Sequence, residues 1–356
     1  MHTIIRPYNY YMIWLMIGMF SLFCSSIGAE TRSSDAQKSL SPQATLEPNR
    51  KRDDPRLSAP GQFKVDEESA QRALERTLVQ TGALLLQAGQ VDLETRLNFA
   101  RNQQSIPIFF PPIEPNFLST EERRDSILSL NLQMRIGLPF ESQLELGIPY
   151  QYLDRSTVTR VGYQIASQTS DSHASAGDVT LAIAKTLWHE KGRHPDLIAR
   201  FRWDTDTGGN GNPEALKAGS GYNEYTTSLT VTKRQDPLIF TGNLSYQYTE
   251  KERGVQPGKT IGLSIGTVLA ASPETSLRLV LNQSFVSETK ANQQKIFGSD
   301  HVIGSLLIGA SSVLDNRNFL NVSMDIGLSD EASDYSLNIA YTRRFSGIFS
   351  HKKSAK

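Results

Sequence analysis

The sequence of 356 residues has a single cysteine, no excess of charge and no long apolar run, and each shortage removes a class of protein. Lys and Arg number 37 against 37 Asp and Glu, so no net field marks the chain for nucleic acid or an anionic surface. The longest apolar run, Met12 to Cys24, has 13 residues, short of the roughly 20 that a membrane-spanning helix needs. Helical-bundle membrane proteins are thereby excluded. The run fits the apolar region of a secretory signal over residues 1–29: Arg6 precedes it, and Ile27-Gly28-Ala29 fills the cleavage positions before Glu30. Cys24 falls in the removed segment, and Ser21-Leu22-Phe23 lacks the small residue that lipoprotein processing requires, so neither a lipid anchor nor a disulfide is expected. An exported chain of this size must then be held by its own core or by closed β-pairing.

What is present begins with a Ser-, Pro- and charge-rich stretch over residues 30–63, including Arg50-Lys51-Arg52, which has too little apolar surface to fold and is expected to be a disordered periplasmic leader. Residues 64–89 change character. Asp66 can cap a helix, Glu67 and Glu68 suit its first turn, and Gly89 offers a stop after Gln87. Leu74, Leu78 and Leu85 share a stripe while Glu75 and Arg76 face away, which predicts a short amphipathic helix.

After Gly89 the period changes to two and stays there. Leu128, Leu130, Leu132, Met134 and Ile136 alternate with Ser129, Asn131, Gln133 and Arg135, and twelve such segments follow one another over residues 90–345. Soluble antiparallel sheets also alternate, so the connections decide. Loops at Asn102–Asp125, Leu153–Gly177, Thr205–Gly221, Glu250–Gly258, Val286–Asp300 and Ser329–Ser333 are nearly all longer than the turns at Gly137–Ser142, Trp188–Pro195, Lys233–Asp236, Ala271–Glu274 and Leu314–Asn318. Long loops on one rim and tight turns on the other are the arrangement of bacterial outer-membrane barrels. The expected fold is all-β: a single antiparallel transmembrane barrel of about twelve strands behind a short N-terminal helix, with a polar tail at residues 346–356. Tyr341 and Phe345 end the last strand in a pattern similar to the C-terminal signal read by the barrel-assembly machinery, although Arg343 interrupts it and eleven residues follow Phe345.

The helix and the later segments resemble a known family. Ala73-Leu74-Glu75-Arg76-Thr77-Leu78-Val79-Gln80, with Gly82, Leu84-Leu85-Leu86 and Gly89, is similar to the helix-to-strand junction of the MetA-pathway-of-phenol-degradation family. Leu146-Gly147-Ile148-Pro149-Tyr150, Gly177-Asp178-Val179, Gly219-Ser220-Gly221, Gly304-Ser305-Leu306-Leu307 and Gly327-Leu328-Ser329-Asp330 follow in the same order. The resemblance implies a transporter-like outer-membrane barrel. A helix before twelve strands also resembles the export channels of functional-amyloid systems, which carry a helical plug, although the leader here lacks their coiled coil.

Alternation turns Asp92, Glu94, Arg96, Arg135, Glu145, Arg200, Arg202, Arg278, Asp325 and Arg344 inward, as a pore lining or as a salt-bridged interior. Twelve strands about 4.8 Å apart, tilted near 40°, leave roughly 10–14 Å inside the side chains. A helix about 10–12 Å wide would nearly fill that space. The helix carrying Leu74, Glu75, Arg76 and Leu78 is thus a candidate plug, the alternative being a helix beneath the rim that docks a periplasmic partner.

Other motifs carry less. Asp204-x-Asp206-x-Gly208-Gly209-x-Gly211 opens like a calcium loop, but Ala215 stands where a bidentate Glu belongs. His189 and His194 have no zinc spacing, and Ser172-His173 lies in an expected loop without an orienting partner. No enzyme activity, metal, cofactor or nucleic acid is expected. The partners are outer-membrane lipid and the assembly machinery, with a periplasmic partner or secreted substrate as further candidates. The function read from the sequence is an outer-membrane channel for passive or helix-gated passage of a small molecule or exported polypeptide. The alternative is a non-conducting barrel serving adhesion or assembly through its long loops.

Overall fold

Period-two alternation builds a sheet with two unlike faces, and closing that sheet gives each face its own solvent. The computed structural model describes residues 67–108, 119–161, 164–208, 219–272, 274–315 and 317–346. Among the described residues one helix, α1 (Glu67–Thr81), precedes sixteen strands. They are β1 (Gln90–Ile108), β2 (Ser119–Leu138), β3 (Ser142–Val161), β4 (Gln164–Ala176), β5 (Thr180–Trp188), β6 (Asp196–Asp204), β7 (Glu224–Gln235) and β8 (Leu238–Thr249). β9 (Val255–Gln256), β10 (Thr260–Ala270), β11 (Thr275–Val286), β12 (Lys290–Ala291), β13 (Gln294–Lys295), β14 (His301–Val313), β15 (Asn318–Gly327) and β16 (Tyr335–Ser346) complete the chain.

Each barrel strand pairs antiparallel with its neighbours, and β1 pairs with both β2 and β16, from Gln90 opposite Ser346 to Arg101 opposite Tyr335. This closes a twelve-stranded barrel and leaves no open edge at membrane height. β9, β12 and β13 form a small separate sheet in the loops. The outward row is apolar and uncovered: Leu132 keeps 50 % of its surface exposed and Ile183 51 %. The inward row is polar and packed, with Ser129, Gln143, Thr230, Asn321 and Ser323 buried. That inversion of a soluble protein's pattern is what a lipid-facing wall requires.

Strand length departs from the expectation on one side. Spanning a bilayer takes about 9–11 residues, which β5 and β6 with 9 and β15 with 10 satisfy. β2 and β3 have 20 each. The segments expected to be the loops Asn102–Asp125 and Leu153–Gly177 are instead largely strand, with β1 paired to β2 up to Ile108 opposite Ser119 and β3 paired to β4 up to Val161 opposite Gln164. β4 continues β5 across the break at 177–179, since both pair with β3. β1 to β4 therefore rise beyond the rim as a four-stranded sheet. The tight turns, the barrel's first and last residues and α1 lie at the opposite, periplasmic end. The expected leader and the expected tail beyond Ser346 lie outside the described residues, as does Asp66.

Candidate functional site: the lumen and its helix

The helix is shorter than its apolar pattern suggests. It stops at Thr81 because Gly82 adopts φ of 73°, a left-handed conformation that ends helices readily in glycine. The N–H of Gly82 donates to Val79 O at 3.1 Å and that of Ala83 to Leu78 O at 2.8 Å, which satisfies carbonyls of the last turn. A Cβ on Gly82 would lie 2.5 Å from the Arg200 guanidinium, so the position needs glycine for space as well. The expected end at Gln87 is thus corrected to Thr81. The connection to β1 is the irregular segment 82–89.

Leu78 is 1 % exposed and packs in a cluster with Ala83, Ile239 and Val268, with Leu74 and Leu84 against it. Ile239 and Val268 stand on the inner face of β8 and β10. Thr77 and Ser276 share a hydroxyl hydrogen bond of 2.5 Å, and Gln80 Nε2 donates to Thr342 Oγ1 at 3.2 Å. Glu75 is exposed, whereas Arg76 donates to Asp315 O at 3.1 Å and lies over the Phe319 ring at 4.2 Å. On the far side Thr232 Oγ1 donates to Ala83 O, the Leu86 N–H donates to Gln143 Oε1 at 2.9 Å, and Leu85 packs on Ala184 and Ile198. Residues 74–89 thus touch the wall around its circumference. Sequence reasoning missed Thr77 and Gln80, which stand off the leucine stripe but bond to the wall residues Ser276 and Thr342.

The charged residues of the wall fall into local sets. Arg344 grips Asp92 through two hydrogen bonds of 2.8 Å. Glu94 takes Arg135 at 2.9 Å and Arg96 from two residues along its own strand. Arg200 reaches Glu145 at 3.1 Å, and Glu145 also accepts from Gln143 at 2.7 Å. Arg202 pairs with Asp204 at 2.9 Å. Arg278 and Asp325 make no ion pair among the described residues, and Arg278 Nε and Asp325 Oδ1 are buried without a hydrogen-bond partner. Beyond Thr81 and Ala83 lies a cavity of about 440 Å³, and a second of about 190 Å³ adjoins Gln80, Glu94 and Arg96.

The remaining motifs are accounted for locally. Asp204 also accepts from Thr180 Oγ1 at 2.6 Å, while Asp178 accepts backbone N–H groups of Gly208 and Ser220. Ser172 and His173 sit on β4 rather than in a loop, opposite Asp154 and Leu153. Adjacent strand residues point to opposite faces, so the two do not meet. His189 bridges Glu141 at 2.8 Å and Asp196 at 3.6 Å on the periplasmic turns. The Glu141 hydrogen bond, and with it the Glu141 and Asp196 charges, raises its pKa above the ordinary histidine value. Tyr341 faces outward near the last strand's end and Arg343 lies over the Phe345 ring at 5.4 Å.

Comparison with known proteins matches residues 130–345 to the family described as "Putative MetA-pathway of phenol degradation". An outer-membrane channel from Pseudomonas putida F1 superposes with a TM-score of 0.58 at 14% identity, covering 74% of this chain and 97% of that one. The translocator domain of the autotransporter NalP from Neisseria meningitidis gives a TM-score of 0.41 at 12% identity, over 79% of this chain and 98% of that one. The toluene transporter TbuX from Ralstonia pickettii gives 0.38 at 8% identity, over 73% and 90%.

Proposed function

This chain belongs to the MetA-pathway-of-phenol-degradation family, and from that premise we propose that it is an outer-membrane channel gated by its own N-terminal helix, which passes a small molecule. Its place is the bacterial outer membrane, where a closed barrel with an apolar outer row is stable. The observation that carries the gating is the seat of α1: Leu78 buried against Ile239 and Val268, with Thr77 bonded to Ser276 on β11 and Gln80 to Thr342 on β16. The seat is built from one apolar cluster and a few hydrogen bonds rather than a continuous ladder, which suits a part that leaves and returns. The charged wall residues, from Asp92 and Glu94 to Arg344, line the path that opens. A cavity of about 440 Å³ fits a small molecule rather than an extended polypeptide. Tyr341 and Phe345 on β16 are what the assembly machinery would read.

A disulfide between Thr77→Cys and Ser276→Cys tests the gate, since the two hydroxyls are 2.5 Å apart and the chain has no cysteine after Cys24. In planar bilayers the oxidised channel should stay closed and dithiothreitol should restore openings. Deleting residues 67–81 should raise conductance several-fold. A deletion that leaves conductance unchanged removes the gating role. Silence of every variant at all voltages would favour the scaffold reading, for which the projecting sheet of β1 to β4 is the natural platform.

A further inference from the structure

We propose that the larger luminal cavity is a binding site for a small organic carboxylate, seated on Arg278. The proposal rests on the reading of the lumen as a solute path and adds the class of solute. Three arginines, Arg200, Arg202 and Arg278, line this cavity, and no Asp or Glu does. Two of them are already engaged from the side, Arg200 by Glu145 and Arg202 by Asp204. Arg278 is the exception: it forms no ion pair among the described residues, and its Nε is buried without a hydrogen-bond partner. The charges that face it are Arg96, Glu94 and Asp325. Glu94 is committed to Arg135 and Arg96, and Asp325 lines neither cavity.

A buried Nε–H without an acceptor is costly, and Arg278 as a whole is only partly buried and lines the cavity with no carboxylate beside it there. Its planar fork matches the two oxygens of a carboxylate better than it matches a halide. The residue opposite Arg278 on β14 is Gly309, where a Cβ would stand 2.9 Å from Ser323 Cβ and 3.6 Å from Arg278 Nε. The cavity also offers an apolar patch, Val268, Val280 and Leu307, so the solute has a compact apolar body beside its charged end. Asn282 and Ser228 supply neutral hydrogen-bonding groups and no competing charge.

Benzoate and its neutral counterpart benzyl alcohol separate charge from shape. Calorimetric titration of the full chain in detergent, against a detergent blank, should show benzoate binding at least about tenfold more tightly, as a charge-assisted hydrogen bond implies. Arg278→Gln should remove that preference. Arg278→Lys, which keeps the charge but gives up the fork, should weaken benzoate by about threefold or more and serves if the Gln variant does not fold. Equal affinity for the two probes in the unaltered protein, or unchanged benzoate affinity in the folded variant, overturns the site. Binding in detergent does not depend on gating: benzoate bound by a protein whose conductance ignores helix deletion would retire the gate and keep the site.

Discussion

Truncating Leu78 to Ala should open the channel without harming the barrel. The side chain is 1 % exposed and packs on Ala83, Ile239 and Val268. The change removes three carbons, each worth about 0.8 kcal/mol of burial, or about 2.4 kcal/mol together before any cavity term. Every 1.4 kcal/mol is tenfold, so the ratio of unseated to seated helix should rise by about 50-fold. A channel open about one part in a thousand would then be open about one part in twenty. The barrel's own ladder from β1 to β16 does not include Leu78, so resistance to SDS at room temperature should be unchanged. Single-channel open probability reads the effect, with exposed Glu75→Ala as the control that should change little. If Leu78→Ala folds and its open probability matches the parent, the apolar cluster does not hold a gate and the energetic argument is wrong.

Three other outcomes are expected. Leu132→Arg places a charge on the lipid face and should cost about 2–4 kcal/mol in denaturant unfolding from liposomes if Leu132 sits near the bilayer midplane; a neutral result there would reverse the facing of β2. Glu94→Gln strands Arg135, whose side chain is 5 % exposed beside a carboxylate at 1 %, and should cost about 3–5 kcal/mol, whereas a cost under about 1 kcal/mol would show the pair to be solvated. His189 has a raised pKa in the folded state, so its charged form stabilises the fold below the unfolded value of about 6.5 and that contribution is lost as pH rises through the folded value. The melting temperature of His189→Gln should therefore lie slightly below the parent's at pH 5.5 and converge with it by pH 8.5. The difference should be small, because the imidazole is exposed, and a gap that widens toward alkaline pH would contradict the assignment.

The barrel was readable because lipid imposes a rule on every second residue. Leu128, Leu130 and Leu132 could only be one face of a strand, and the twelve alternating segments correspond to the twelve barrel strands. The upper halves of β1 to β4 were not readable for the same reason. Above the membrane neither face must be apolar, so Gln168 to His173 is polar throughout and looks like a loop. The helix end was hidden by Leu84-Leu85-Leu86, which prolongs an apolar pattern past the residue whose left-handed backbone breaks it. In the lumen, alternation selects the face but not the partner. The Glu94–Arg96 and Arg202–Asp204 pairs, two residues apart on one strand, were legible in principle. The contact of Glu94 with Arg135 depends on the β1–β2 register, which sets Glu94 opposite Gln133 and Arg135 one step away, opposite Asp92.

The seam between β1 and β16 carries a consequence for the order of assembly. Its ladder joins Gln90 to Ser346, the two ends of the barrel sequence, so closure waits for the last strand and must bring together residues separated by nearly the whole fold. Until then the sheet has two raw edges, and the interval before sealing is when the chain is most exposed to wrong partners. The helix lies outside this constraint. Its tether, residues 82–89, reaches β1 at the periplasmic mouth, where the Gly89 N–H donates to Gly137 O, so under the proposed gating the helix can enter after the wall is sealed. If the helix gates as proposed, a finished barrel can precede its entry, and its withdrawal need not disturb the seam.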